Sequence, residues 1–187
     1  MLRVLASEAS IAIENARLFH EERTKARHLA LLNTISRNAI ATLNPEEMLA
    51  KITEQLEAGL THDHIGIGIL DYSTRELVIQ AEAGARRGAL GQRVPLGAGL
   101  AGHVARNGQM AMYNAASPGD ATLKPILPES VAAIALPVFY AEQLHGVLYI
   151  ESATPTDFSE EEILLLRTLA DLISGALHNA LTFQKAQ

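Results

Sequence analysis

The sequence contains no cysteine and no tryptophan, and aromatic residues make up only 4% of its 187 residues. Without thiols there is no disulfide, thiolate nucleophile, Cys-ligated zinc or iron–sulfur centre, or thioether-linked chromophore within it. Any core must be built from Ala, Leu, Ile and Val, which a hydrophobic content of 48% allows. No apolar run reaches the ~18 residues that suggest a membrane span, and no charged-then-apolar export pattern opens the sequence. Positive charge is also sparse and scattered. The net charge of −6 argues against nucleic acid or an anionic membrane as a partner. A cytoplasmic location is the economical expectation.

Glycine and proline are absent from Leu2 to Leu43, which predicts a long helix. Leu2, Leu5, Ala9, Ala12, Ala16 and Phe19 recur at alternating spacings of three and four, the seam of a coiled coil. The seam blurs through Glu22–Lys25 and resumes in another register at Leu29, Leu32 and Ile35. The opening segment is also a repeat. Leu2, Arg3, Leu5, Ala6, Ser10, Ala12, Asn15, Ala16 and Phe19 return, without a gap, as Leu166, Arg167, Leu169, Ala170, Ser174, Ala176, Asn179, Ala180 and Phe183. Repetition at about one domain length predicts a tandem array. Residues 1–22 then read as the closing helix of a preceding copy, 23–43 as a linking helix, and 44–187 as a module with its own C-terminal helix. The expected homodimer interface is Leu5, Ala9, Ala12, Ala16 and Phe19 together with Leu169, Ile173, Ala176 and Ala180.

The module has clear punctuation. Asn44 caps a helix that Pro45 opens, with Glu47 as capping-box partner and Leu43/Met48 as staple. His64–Leu70 alternates as a strand, and Glu76–Ala83 returns from a turn at Asp71–Thr74. Arg93–Leu96 reads as an edge strand because Pro95 cannot donate to a central ladder. A short helix fits Leu100–Arg106, followed by a strand at Met110–Tyr113 and a long excursion from Asn114 to Pro128. Val131–Phe139 and His145–Glu151 form a hairpin, and Ser159 with Glu162 starts a final helix.

Several motifs invite chemistry. Gly97-x-Gly99-x-x-Gly102 has the letters of a dinucleotide fingerprint but lacks its setting: the preceding strand is short and contains proline, and the helix ends by Gly108. A tight turn is the better reading. His62-x-His64 would share one face of a strand, without the third ligand a metal needs. His28 lacks the neighbours of a phospho-acceptor. Arg86-Arg87 reads as a solvated pair. No nucleophile–base pair stands out.

Five segments in order resemble a GAF domain, a widespread small-molecule sensory module. They are the entry helix after Asn44, Val94–Ala105 with its glycines, Ala135–Val138, Gly146–Ser152, and Phe158–Glu162 leading to a helix ending Ala176–Ala180. The fragment Ile11–Ala16 resembles the closing helix of such a module. The resemblance implies an α+β fold: a central antiparallel sheet of five to six strands, terminal helices on one face and a ligand cavity on the other. It implies ligand-binding roles for Leu100, His103 and Val104 of the short helix, His103 being able to hydrogen-bond or ligate haem. Tyr113, Asn114 and Asp120, around the long excursion, join them. Cyclic-nucleotide-binding members carry Asn-Lys where this sequence has Glu151-Ser152, which speaks against that ligand. Members that carry a bilin by thioether, or reduce free methionine sulfoxide, need cysteine.

The expectation is a regulatory sensory module of a bacterial-type signalling protein rather than an enzyme. It binds an unidentified small molecule and signals through paired helices to an output domain elsewhere. The rival is a ligand-free dimerising spacer.

Overall fold

The computed structural model describes residues 2–41, 44–117, 119 and 122–185. Ten elements follow in order: α1 (Leu2–Ala41), α2 (Pro45–Gly59), β1 (His64–Asp71), β2 (Glu76–Ala83), β3 (Arg93–Pro95), α3 (Gly99–Asn107), β4 (Ala111–Asn114), β5 (Ala132–Tyr140), β6 (Gln143–Ser152) and α4 (Glu160–Lys185). The six strands form one sheet in the order β3-β2-β1-β6-β5-β4, and every neighbouring pair is antiparallel. The α+β architecture is the expected one, with α1, α2 and α4 on one face and α3 on the other.

The first helix is continuous over 40 residues, about 60 Å at 1.5 Å per residue. Only its C-terminal part meets the domain. Leu31 and Ile35 are buried and Leu32 packs beside them, whereas residues 6–20 are exposed throughout. Part of the segment expected as a linker therefore belongs to the core. At α2, Asn44 Oδ1 accepts the Glu46 N–H at 2.9 Å and Pro45 sits at the first turn. Leu43, the expected staple, lies outside the described residues, as does the side chain of Leu5.

Strand alternation sets the two layers. On β1, Ile65 and Ile67 join the helical core, while His64, Gly66 and Gly68 face α3. β5 and β6 divide in the same way: Ile134, Leu136, Leu148 and Ile150 lie towards the helices, and Ala133, Ala135, Val147 and Tyr149 towards α3. β2 breaks the rule at a bulge. Ile67 pairs with Ala81 but Gly68 pairs with Ile79, so Gln80 is an extra residue. The extra residue moves Ala81 to the helical core and brings Glu82 to the α3 side, beside its partner Gly66. Ala141 and Glu142, both at positive φ, make the two-residue turn between β5 and β6.

Ser159 Oγ accepts the Glu162 N–H at 3.2 Å as the cap of α4. Leu169, Ile173, Ala176 and Ala180, expected at a dimer interface, are instead buried within the chain's own helical core. Periodicity marks a face that must be covered but does not say which surface covers it. Ala9, Ala12, Ala16 and Phe19 on α1 are exposed.

Candidate functional site

The space between the sheet and α3 is where the resemblance puts a ligand, and this chain fills it with its own side chains. Leu77, Ile79, Leu100, Val104, Val147 and Tyr149 form a buried cluster there. Gly66 makes room for the largest of them. A Cβ at Gly66 would overlap Cζ and Oη of Tyr149, so the ring lies where any other residue would project. Among the described residues, Gln92, Val94, Leu100, Lys124, Ile126 and others line a cleft of about 180 Å³ at the margin of this cluster. That is smaller than the ~300–1,000 Å³ of an ordinary ligand pocket.

Around Tyr149 lies a buried polar network. A carbonyl can only accept, so the 2.8 Å contact between His64 Nδ1 and the Arg86 carbonyl places a proton on Nδ1. Nε2 then faces the Tyr149 hydroxyl at 3.3 Å. Burial pushes the Tyr149 phenol well above its ordinary range, and the nearby Glu151 and Glu82 carboxylates push it further. Glu82 accepts the N–H groups of Gly88 and Ala89 at 3.0 and 2.9 Å. Burial alone would raise its carboxyl, but the N–H groups of Ala89, Gly88 and Leu90 together bring it below its usual value.

Glu151 is the most consequential member, at 1% exposure. Its Oε1 accepts the Ile126 N–H at 2.6 Å; its Oε2 accepts the Leu127 N–H at 3.0 Å and the Ser130 hydroxyl at 2.8 Å. One carboxylate on β6 thus holds the segment that roofs the site. Three donors satisfy a charge that would be costly to bury alone. The roof has further ties: Leu100 N–H donates to the Lys124 carbonyl at 2.8 Å, and the Arg86 guanidinium donates to Ser130 Oγ at 3.2 Å and Glu129 at 2.9 Å.

From the roof, hydrogen bonds and one neighbour along the chain lead to α4. Val131 N–H donates to the Ser152 carbonyl, next to Glu151, at 2.8 Å. Ser152 Oγ and Ala153 N–H both donate to Asp63, at 3.2 and 2.7 Å. His62, beside Asp63, contacts Glu162 in the first turn of α4 at 2.6 Å.

Of the expected site residues, Tyr113 and Asn114 share the wall of an open pocket of about 400 Å³ with Asp157 and Phe158, and the rest fall into separate groups. Leu100, Val104 and Tyr113 belong to the α3-side cluster. His103 is not among the buried residues of that cluster; it is half-buried, and its Nε2 lies 2.9 Å from the amide of the exposed Asn107 one turn along α3. Asn114 does turn chemistry, its Oδ1 accepting the Ala116 N–H at 2.9 Å. Asp120 lies outside the described residues. His62 and His64 do not share a face: His62 precedes β1 and meets α4, while His64 faces α3. Of Gly97-x-Gly99-x-x-Gly102, Gly97 lies in the turn before α3 and the other two glycines lie in the helix itself, where a Cβ at Gly102 would strike the Pro95 carbonyl. Sequence reasoning missed His64, Glu82, Arg86, Ser130, Tyr149 and Glu151 as a set. The one readable signal was a charged residue ending the apolar run of β6, alternating with Tyr149. Among the described residues no group of three or more His, Asp and Glu side chains is placed to hold a metal ion, and no helix is long and apolar enough to cross a membrane.

Comparison with known proteins places this geometry. A family model described as GAF domain matches residues 42–178. The anaerobic nitric oxide reductase transcription regulator NorR of Enterobacter sp. (strain 638) is 30% identical over 169 residues, covering 75% of this chain and 32% of that protein. Its counterpart in Salmonella paratyphi A is 29% identical over 171 residues, covering 76% and 32%. The chain thus spans about a third of the length of these relatives, at 32%. Among solved structures, the GAF domain of a phosphoenolpyruvate-protein phosphotransferase from Coxiella burnetii superposes with a TM-score of 0.74 at 23% identity, covering 86% of this chain and 98% of that one. The free methionine-R-sulfoxide reductase of Neisseria meningitidis, in complex with its substrate, gives 0.73 at 20% identity, covering 83% and 90%. These two likenesses concern the fold. By the family match over residues 42–178, the chain belongs to the GAF domain family of sensory modules.

Proposed function

We propose that the chain is the regulatory sensory part of a larger bacterial-type signalling protein, taking a small molecule beneath the roof formed by residues 122–131. The effect passes through helices that pair between two copies to an output domain elsewhere. The observation that carries the reading is Glu151. The same buried carboxylate that holds the roof stands beside Ser152, whose hydroxyl donates to Asp63, and the residue before Asp63 along the chain, His62, contacts Glu162 in the first turn of α4. A ligand that lifts or tightens the roof therefore acts on the base of the terminal helix. For this to be regulation the ligand must favour one arrangement over another. The curated relatives are transcription regulators, which supports a regulatory role. The internal repeat supports reading residues 1–22 as the closing helix of a preceding copy.

One observation favours a second reading, a ligand-free dimerising spacer: the α3 side of the sheet is packed solid by Tyr149, Leu100 and Val104. A thermal-shift screen against small metabolites separates the two. A ligand at 100 times its Kd adds about 2.7 kcal/mol, a rise of roughly 5–10 °C for a chain this size. No stabilisation by any compound leaves the spacer.

A further inference from the structure

The helical face of the sheet, opposite the roof, carries an opening larger than the cleft beside α3. β4 pairs only with Ala132–Ala135 of β5, so from Leu136 onward the β4-side edge of β5 carries no strand. A sheet edge left open offers its backbone N–H and C=O groups to whatever lies beside it. There, between β5, residues 108–110 and α4, stands a pocket of about 510 Å³, within the ordinary range for a small-molecule site. Leu136, Met110, Ala170 and Phe139 give it an apolar wall, Phe139 at 40% exposure. Arg167 and Asp171, one turn apart on α4 and both exposed, complete it. Neither makes a hydrogen bond or ion pair with another described residue, whereas Arg17 and Glu21, at the same spacing on α1, pair at 2.5 Å. Just beyond the pocket the Ser174 hydroxyl of α4 donates to the Phe139 carbonyl, pinning the helix to β5.

We propose that this pocket binds a small zwitterion, an α-amino acid with an apolar side chain, its carboxylate on Arg167 and its ammonium on Asp171. A guanidinium takes a carboxylate by two parallel hydrogen bonds. A simple anion would meet the repulsion of Asp171, and a simple cation that of Arg167, so the pair selects a molecule bearing both charges. Side chains one helical turn apart start about 5–6 Å from each other at Cβ, close enough to hold two groups borne by one carbon. A peptide terminus carries only one of the two. The apolar side chain covers Leu136 and Phe139, removing their exposed surface from water. This site is independent of the one beneath the roof. Its occupant touches α4 directly, through Arg167, Ala170 and Asp171, and so bears on the terminal helix without passing through Glu151.

The test is calorimetric titration of the full chain with L-leucine and L-phenylalanine, beside leucine amide, which lacks the carboxylate, and N-acetyl-leucine, which lacks the ammonium. Arg167→Gln and Asp171→Asn remove the two charges from the protein side, and Arg23→Gln on the exposed stretch of α1 serves as a remote control. Circular dichroism and thermal melts verify folding, and the two analogues test the same contacts on the wild-type chain. Hydrogen exchange with and without amino acid locates the bound molecule. The expected result is binding of at least one amino acid with added protection in residues 108–110 and 167–171. Each analogue and each pocket variant should bind on the order of 10- to 100-fold more weakly, and Arg23→Gln like wild type. No binding of either amino acid up to about 10 mM would overturn the proposal. So would folded pocket variants that bind like wild type, or protection confined to residues 122–131, which would put the amino acid beneath the roof instead.

Discussion

Replacing Glu151 by Gln keeps the shape of the side chain and removes its charge. The amide offers one acceptor oxygen where the carboxylate offered two. If that oxygen stays with Leu127 and Ser130, the NH₂ group points at the Ile126 N–H, which the carboxylate meets at 2.6 Å. A buried donor left facing another donor costs about 1–3 kcal/mol, and the two surviving bonds each lose about 1 kcal/mol of charge assistance. The sum is about 3–5 kcal/mol, borne by the roof rather than the sheet, because local segments open independently of the global core. Hydrogen exchange by mass spectrometry reads this directly. Protection of peptides covering residues 122–131 should fall on the order of 10²- to 10⁴-fold at about 1.4 kcal/mol per tenfold, while those within β5 and β6 change little. Roof protection unchanged within about fivefold would refute the assignment of Glu151 as the anchor.

Gly66→Ala should force the Tyr149 ring out of its seat; overpacking of this kind costs about 1–3 kcal/mol, seen as a fall in Tm of roughly 2–12 °C, and Tyr149→Val in the same chain should recover part of it. The Tyr149 phenol, raised by burial, should resist ionisation in a spectrophotometric titration well beyond the ordinary tyrosine range of pH ~10. Its folded value lies above its unfolded one, so its contribution to stability is complete below pH ~10 and is lost as the pH rises beyond that; denaturant midpoints at pH 8 and above 10 check the sign. Asp71, lowered to about 2 chiefly by the Ser73 hydroxyl, should show that value in an NMR titration. Its contribution is present above the unfolded value of ~3.9 and fades as the pH falls towards about 2.

Much of the frame was legible because its causes are local. Asn44 and Ser159 cap the helices they were expected to cap, Pro95 lies on an edge strand, and Gly97 makes the turn that leads into α3. The site was less legible because its determinants are not local. Glu151 meets partners on a segment 21 to 25 residues earlier, and no spacing rule signals that. Glu82 reaches the α3 side through the single extra residue Gln80, whereas uniform alternation would point it the other way. His103 was placed by resemblance on the lining helix. The buried positions Leu100, Ala101, Val104 and Ala105 define the inward face of α3, and His103 lies to its side. The α4 stripe reads equally well as core or as partner contact, and only tertiary packing assigns it to the core.

The central claim is that a small molecule beneath the roof alters the terminal helices. The most direct measurement takes protein purified without added ligand, identifies any small molecule released on denaturation, and compares hydrogen exchange of ligand-free and reloaded protein. The account predicts a released or re-bindable compound that changes exchange in residues 122–131 and, with it, in the first turns of α4. Exchange identical in both segments, with no compound recovered and none that binds, would contradict it and leave a spacer.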